Sequence, residues 1–143
     1  MKKGNTIVEA VVSLSIILIA LTLSIQIIAI TSKSIDLRKN KEKANRVAYA
    51  IENEIKYNMS FTEFKSVFNI GNLSLKYNDN ILERLLTTSL RNLETGNDII
   101  IEKLRDNSID INYEIATIKI KISDVKGGIL AEREFIKSYW MDI

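Results

Sequence analysis

The chain has 143 residues, of which 20 are lysine or arginine and 18 are aspartate or glutamate, so its net charge is +2. A charge so close to zero does not indicate a strongly polyanionic partner. Histidine and cysteine are both absent, which excludes disulfides, thiol chemistry, histidine-based triads and the usual zinc and copper sites.

The N-terminal segment is first basic and then apolar. Lys2 and Lys3 precede Gly4, and the run from Ala10 to Ile30 contains no charged residue. As a helix this run is roughly 30 Å long, the thickness of the hydrocarbon core of a bilayer. It is longer than the apolar core of a secretory signal peptide, and no small-residue cleavage pattern follows it. The segment therefore predicts a membrane helix.

Glu9 is the only acidic residue before Ile30. A carboxylate at the entrance of a membrane helix is costly, so its presence indicates a function. Together with Gly4, Asn5 and Thr6, Glu9 makes the segment resemble the class III signal of type IV prepilins and pseudopilins. In that pattern Gly4 precedes the cleaved bond, Asn5 follows it, and Glu9 is the fifth residue of the mature chain. Glycine suits the cleavage position because it lets a protease approach the backbone closely.

The resemblance implies that a membrane-embedded prepilin peptidase cuts after Gly4 and methylates the new α-amine of Asn5. It also implies that Glu9 forms an assembly salt bridge with the amine of a neighbouring subunit. The apolar helix would first anchor the chain in the membrane and then pack in the centre of a filament. The implied partners are other pilin or pseudopilin subunits, the peptidase, the membrane and, indirectly, an assembly ATPase and its platform complex. No catalysis, cofactor or metal is expected.

Two positions of the sequence depart from the family pattern. Asn5 stands where the family commonly has Phe or Met, and Gln26 stands where major pilins often carry a helix-bending proline. The whole chain lacks proline. Asn5 bears on the efficiency of methylation. The absence of proline favours a minor pilin or pseudopilin of a type IV pilus, a competence system for DNA uptake, or a type II secretion system.

The alternative is an uncleaved, single-pass anchor that carries an extracytoplasmic binding or sensing domain. In that case Glu9 reaches the lipid headgroups and has no assembly role. An enzyme is the third interpretation, and the acidic residues do not support it. Glu52, Glu54, Asp110 and Glu114 follow the surface periodicity of helices and strands and form no convincing acid–base pair.

The membrane helix is expected to continue beyond residue 30. The stretch from Thr31 to Lys56 lacks glycine and proline, and an apolar stripe runs along it at steps of three and four residues: Ala44, Val47, Ala48, Ile51 and Ile55. Such a stripe predicts an amphipathic helix packed on a sheet.

The expected fold class is α+β and pilin-like. The chain would begin with a leader over residues 1–4, a membrane or filament-core helix over 5–32 and an amphipathic continuation over 33–56. A variable helical region over 57–97 and an antiparallel meander over 98–143 would follow.

The amphipathic continuation is basic. Within its first part, residues 33–46, the cations outnumber Asp36 and Glu42, and they are Lys33, Arg38, Lys39, Lys41, Lys43 and Arg46. Four of them are a candidate contact for DNA or another polyanion: Lys39, Lys41, Lys43 and Arg46. A solvated helix face is the alternative, because acids interrupt the run and no aromatic residues alternate with the cations. The positive-inside rule alone would place the large domain in the cytoplasm, whereas the prepilin signal predicts a cytoplasmic N-terminus and an extracytoplasmic head.

Two short helices are predicted in residues 57–97. Ser60 and Glu63 form a capping box for a helix over Phe61–Phe68 that ends near Gly71, with Met59 and Phe64 as a hydrophobic staple. Alternation over Asn72–Tyr77 allows a short strand. A second helix is predicted from an Asn80 cap to a stop at Gly96, and its buried face would comprise Ile81, Leu82, Leu85, Leu86, Leu90 and Leu93.

The last 45 residues predict a meander of antiparallel strands. Ile99 and Ile101 begin it, residues 106–108 suit a turn, and one face would then carry Ile109, Ile111, Tyr113 and Ile115. The phase changes to Ile118, Ile120 and Ile122, which predicts a bulge or tight turn at Ala116–Thr117.

A two-residue turn at Gly127-Gly128 would then place Ile120 opposite Phe135 and Lys121 opposite Glu134. The closing strand is predicted over Glu132–Met141. Its aromatic residues and Ile136 would cover both faces of the sheet. Trp140 would seal the core, which is the favoured interpretation, or mark a contact with a partner.

Overall fold

The computed structural model describes residues 3–68, 71–78, 80–106 and 115–139, without the side chains of residues 3–5, 105 and 106. The chain divides into two compact units, Met1–Lys39 and Asn40–Ile143. The first unit contains a single helix whose described side chains are all exposed. The second unit contains the hydrophobic core.

The helical elements lie in the first two thirds of the chain. Helix α1 spans Lys3–Asn53 and passes directly into a π-helical turn, Glu54–Asn58. Helix α2 spans Phe61–Phe68, helix α3 spans Ile81–Thr87, and a 3-10 turn covers Leu90–Asn92. The predicted continuation of the first helix to about residue 56 and the predicted bounds of α2 are both confirmed.

The strands form one four-stranded antiparallel sheet in the order β1-β2-β3-β4. Strand β1 spans Leu73–Leu75, β2 spans Ile99–Asp106, β3 spans Ile115–Ser123 and β4 spans Ile129–Ser138. The sheet is therefore a meander, as the sequence predicts, to which β1 adds a short edge strand.

The core of the second unit lies between the C-terminal part of α1 and one face of the sheet. The predicted α1 stripe is at most 2% exposed at every position, and it consists of Ala44, Val47, Ala48, Ile51 and Ile55. Opposite it, β3 buries every second residue: Ala116, Ile118, Ile120 and Ile122. A long helix with an antiparallel sheet is an α+β architecture, so this part of the expected fold class is confirmed.

The two predicted helix caps have different outcomes. Ser60 Oγ accepts a hydrogen bond from the backbone N–H of Glu63 at 3.2 Å, which satisfies one of the free donors at the start of α2. Asn80 occupies the residue before α3, but its side chain makes no capping hydrogen bond.

Helix α3 is shorter than predicted. It ends at Thr87, and the following Thr88 has extended dihedral angles. Threonine and serine disfavour helix interiors because their branching and hydroxyl groups favour other conformations. Leu90 and Leu93 are buried as predicted, but they reach the core from the 3-10 turn and the residue after it. Leu86 is 87% exposed, so its assignment to the core is wrong.

Gly96 does not end a helix. A Cβ atom at this position would lie 2.7 Å from Lys76 Cα, and the Gly96 N–H donates to Ser74 O at 3.3 Å. The residue instead permits a close approach of two backbone segments beside β1.

The irregularity predicted at Ala116–Thr117 lies on the neighbouring strand. Strand β3 alternates without a break from Ile115 to Ser123. On β2, Lys103 pairs with Ile118 and Arg105 pairs with Thr117, which leaves Leu104 as the extra residue of a bulge. Because Ala116 is small and buried in phase with the isoleucines that follow, β3 needs no phase change there.

The β3–β4 turn is wider than the predicted Gly127-Gly128 turn. The Asp124 N–H donates to Gly128 O at 2.8 Å, and the Gly127 N–H donates to Asp124 O at 2.9 Å. Asp124 Oδ1 also accepts from the backbone N–H groups of Lys126 and Gly128, at 2.9 and 2.7 Å. These local hydrogen bonds favour the wider loop, and Gly127 adopts the positive φ of 81° that it requires.

The wider turn shifts the strand register by two residues. Phe135 lies opposite Ile118 and not opposite Ile120. An even shift leaves every side chain on its original face, so Ile120 and Phe135 are both buried despite the wrong pairing.

The predicted ion pair is displaced in the same way. Lys121 lies opposite Glu132, not opposite Glu134. The ion pair that forms joins Lys119 Nζ diagonally to Glu132 Oε1 at 2.6 Å.

Ile136 does not cover the second face of the sheet, because its side chain is 50% exposed. Tyr139 is also exposed, at 42%. The prediction that both faces are covered is therefore wrong for the described residues. Several predicted features lie outside those residues: Trp140, the turn at 107–108, and Ile109, Ile111 and Tyr113.

Candidate functional site

The predicted cleavage site lies in the first turn of α1. Gly4 and Asn5 both fall within the helix, close to its first residue, Lys3. The first backbone N–H groups of a helix lack partners within the helix. The terminal turn is therefore the part of α1 that opens at the lowest cost when a protease needs an extended backbone.

Glu9 lies on the exposed surface of α1, four residues after Asn5. Residues four apart share one side of a helix. Among the side chains that the structure describes, none forms an ion pair with Glu9. A carboxylate in this position is free to meet a cation from another molecule.

Most hydroxyl groups in and next to the apolar part of α1 have hydrogen-bond acceptors within the helix. Ser15, Thr22, Ser24 and Thr31 each donate a hydrogen bond of 2.8 Å to a backbone carbonyl three or four residues earlier. Unpaired donors are costly in lipid, so this arrangement suits an apolar environment. The helix is long and apolar enough to cross a membrane by length and composition.

The four residues predicted as a polyanion contact are all exposed: Lys39, Lys41, Lys43 and Arg46. Arg46 is paired, because its Nη2 atom lies 2.6 Å from Glu42 Oε1 on the next turn. This pair reduces the positive charge of the candidate contact at its C-terminal end.

An ionic cluster around the buried Glu52 joins the end of the first helical segment to β4, and the sequence analysis did not predict it. Glu52 is only 7% exposed. Its Oε1 atom accepts from Lys56 Nζ at 2.7 Å and its Oε2 atom accepts from Arg133 Nε at 2.6 Å. Burial of the Glu52 carboxyl raises its pKa, but the hydrogen bonds and charges of Lys56 and Arg133 together outweigh this effect. The net pKa of Glu52 is below its ordinary value.

Aromatic rings flank the two cations of this cluster. Lys56 Nζ lies 5.3 Å from the centre of the Phe135 ring, and the Arg133 guanidinium lies 5.3 Å from the centre of the Tyr49 ring. Such cation–π contacts stabilise charges that are partly removed from water.

Lys137 extends the cluster to the end of the helical segment. The side chain is 1% exposed, and its Nζ atom donates to Lys56 O at 3.0 Å and to Met59 O at 2.7 Å. Carbonyls at the end of a helix lack partners within it. Lys137 therefore satisfies the π-helical turn and ties it to the last strand.

A shallow cavity of about 530 Å³ lies beside this cluster, and its lining includes Glu52, Lys56 and Glu134. Lys56 and Arg133 favour the ionised form of Glu52. The arrangement is suited to fixing β4 on α1.

Part of the cluster has a signal in the sequence. Glu52 and Lys56 are four residues apart on one helix, where opposite charges pair. Arg133 and Lys137 alternate with the buried Ala131 and Phe135, which places two cations on the inner face of β4. Inward cations facing the helix require an acid there, and Glu52 provides it. The assignment of Glu52 to surface periodicity is therefore wrong, whereas Asp110 and Glu114 lie outside the described residues.

No protein-family model, curated protein or solved structure matches the chain.

Proposed function

We propose that the chain is a type IV pilin-like minor subunit or pseudopilin, processed by a prepilin peptidase and assembled into a filament. The observation that carries the proposal is the arrangement of Gly4 and Glu9 at the start of a helix apolar enough to cross a membrane. An ordinary anchor does not need a carboxylate at that place, and its cost in lipid is about 2.5–3.5 kcal/mol.

Cleavage after Gly4 would leave Asn5 with a cationic amine near the membrane surface. The exposed Glu9 of a neighbouring subunit is a suitable partner for that amine. Opposite charges at about 4 Å attract by several kcal/mol at intermediate dielectric, which offsets the cost of placing the carboxylate in lipid. Each pair of neighbouring subunits would then be joined by an ion pair between the Asn5 amine of one subunit and the Glu9 carboxylate of the other.

The proposed topology places residues 1–4 in the cytoplasm and the Asn40–Ile143 unit outside the membrane. The basic residues that follow the apolar segment oppose this orientation, but long domains cross the membrane largely regardless of their charge. The α+β arrangement of the second unit supports the proposal, because pilin-like heads combine a helix with an antiparallel sheet. We include in the same proposal that the subunit acts in a type IV pilus, a competence apparatus or a type II secretion system.

Substitution of Glu9 tests the assembly role. Glu9→Gln should leave membrane insertion and cleavage at Gly4 intact, because it removes a charge and leaves the scissile bond unchanged. It should abolish incorporation into the filament, since the amine of the next subunit would be buried without a counter-charge. Crosslinking and co-purification with the other filament subunits measure incorporation.

Glu42→Gln is the matched control, because it removes an exposed acid from the same helix outside the apolar segment. It should assemble normally. Normal assembly of Glu9→Gln would contradict the proposed salt bridge and leave Glu9 as a side chain that only reaches the lipid headgroups.

A further inference from the structure

Gln26 is the only residue with a side-chain amide in the charge-free run from Ala10 to Ile30. It lies on the exposed surface of α1. Among the residues that the structure describes, none forms a hydrogen bond with its side chain, whereas the hydroxyl groups of Thr22 and Ser24 donate to backbone carbonyls of the same helix. An amide that faces lipid without partners is costly, so Gln26 requires a donor and an acceptor from another molecule.

The lipid headgroups do not meet this requirement well. Gln26 is four residues before the end of the charge-free run, so the nearer membrane surface lies about 6 Å further along the helix, in the C-terminal direction. The Cα–Cβ bonds of an α-helix tilt toward its N-terminus. The side chain of Gln26 therefore leans toward the middle of the bilayer, whereas Glu9, at the other end of the run, leans toward the surface beside it.

Gln26 belongs to a row of side chains that lie on one side of α1. The members of the row follow one another at alternating steps of three and four residues, and they are Val12, Ser15, Ile19, Thr22, Gln26 and Ala29. This spacing is typical of helices that pack side by side at a small crossing angle. Thr22 and Ala29, the neighbours of Gln26 in the row, are small and allow a second helix to approach the amide closely.

A second copy of this chain matches the row in both geometry and hydrogen bonding. Two copies that are inserted by the same N-terminal segment are parallel and at the same depth, so identical residues of the row face each other. The amide of Gln26 has two N–H donors and a carbonyl acceptor, so two Gln26 side chains can satisfy each other reciprocally. A single polar residue at such a position also fixes the register of two packed helices.

We propose that α1 pairs in the membrane with the α1 of a second copy, along the row from Val12 to Ala29 and through reciprocal hydrogen bonds between the two Gln26 side chains. The inference rests on the proposed membrane insertion of residues 10–30. It requires neither cleavage after Gly4 nor the Glu9 contact, and every residue that it uses lies within the first unit, Met1–Lys39.

Disulfide crosslinking maps the contact, because the chain contains no cysteine of its own. The full chain is reconstituted at low density into phosphatidylcholine vesicles, without other filament subunits. Ala29→Cys should form a disulfide-linked dimer on mild oxidation. Ser24→Cys is the matched control, because two residues turn a helix by about 200° and Ser24 therefore lies on the side opposite Gln26. It should remain largely monomeric.

Substitution of Gln26 tests the cause of the pairing. In the chain that carries Ala29→Cys, Gln26→Leu should lower the association constant of the dimer about tenfold, the effect of losing two interhelical hydrogen bonds of the usual strength in membranes. Gln26→Asn keeps a donor and an acceptor and should retain most of the dimer. Ile27→Leu, an exposed apolar change beside Gln26, and Glu9→Gln should both leave the association constant unchanged.

A dye at Ser24→Cys, read with a quencher in the acyl chains, separates this inference from the proposed insertion. If the dye is not quenched, insertion fails and the pairing fails with it. If the dye is quenched but Ser24→Cys crosslinks as well as Ala29→Cys, the helix is inserted and the proposed pairing is refuted. A dimer of Ala29→Cys that Gln26→Leu leaves unchanged would also overturn the inference.

Discussion

At the scale of single residues, Glu52 explains how the last strand is held on the first helix. Its carboxylate binds Lys56, in the π-helical turn that follows α1, and Arg133 of β4, and Lys137 binds the backbone of the same turn. Glu52 is buried, whereas the side chains of Lys56 and Arg133 are 22% and 36% exposed, so the two cations stay partly in contact with water. These side chains therefore help to hold β4 against α1, together with the β3–β4 pairing and the buried residues of β4.

Glu52→Gln should lower the free energy of unfolding by roughly 1.5–3 kcal/mol at neutral pH, the usual value of hydrogen bonds to charged groups. Because the pKa of Glu52 is lowered on folding from about 4.5, its contribution is present above that pH and is lost as the pH falls through the lower folded-state value. Urea titrations of the two proteins should show a smaller difference in unfolding free energy at pH 3 than at pH 7. Glu94→Gln, which removes an exposed pair with Lys76, should behave like the unsubstituted chain, and a pH-independent gap at Glu52 would contradict this explanation.

At the scale of elements, the periodicity of apolar residues predicted those features of the fold that are determined by the burial of one apolar face. The α1 stripe, helix α2 and the alternation of Ile118, Ile120 and Ile122 all follow from one apolar face meeting another. The hairpin loop and the end of α3 could not be predicted in this way. The loop is set by hydrogen bonds from Asp124 to its own backbone, and the 3-10 turn buries Leu90 without extending the helix. Gly96 suggested a helix stop because a close backbone approach leaves no separate signal in the sequence.

Two isoleucines on opposite faces of the sheet test the packing of α1. Ile120 is fully buried and Ile136 is 50% exposed. Ile120→Ala should cost about 2–5 kcal/mol of unfolding free energy because it leaves a cavity beneath α1. Ile136→Ala should cost no more than about 0.5 kcal/mol. Equal losses at the two positions, measured by chemical unfolding of the full chain in detergent, would refute the helix-on-sheet core.

At the scale of the whole molecule, the chain combines a helical unit with no described buried side chain and a second unit with its own core. The surface of the first unit is suited to contact with lipid or with other helices, and the surface of the second unit is suited to contact with water. The α+β arrangement was predictable from composition and periodicity. The candidate processing site was predictable only from the positions of Gly4 and Glu9, because a scissile bond and an unpaired carboxylate have no packing partner within one chain.

The mass of the mature N-terminus tests the pilin-like account most directly. In cells that contain a prepilin peptidase, the purified chain should lack residues 1–4 and begin at Asn5, with any N-methyl group visible in the same mass spectrum. Gly4→Val should block this processing, because a branched side chain prevents the close approach of the protease to the backbone. A chain that retains Met1 in peptidase-positive cells would contradict the account.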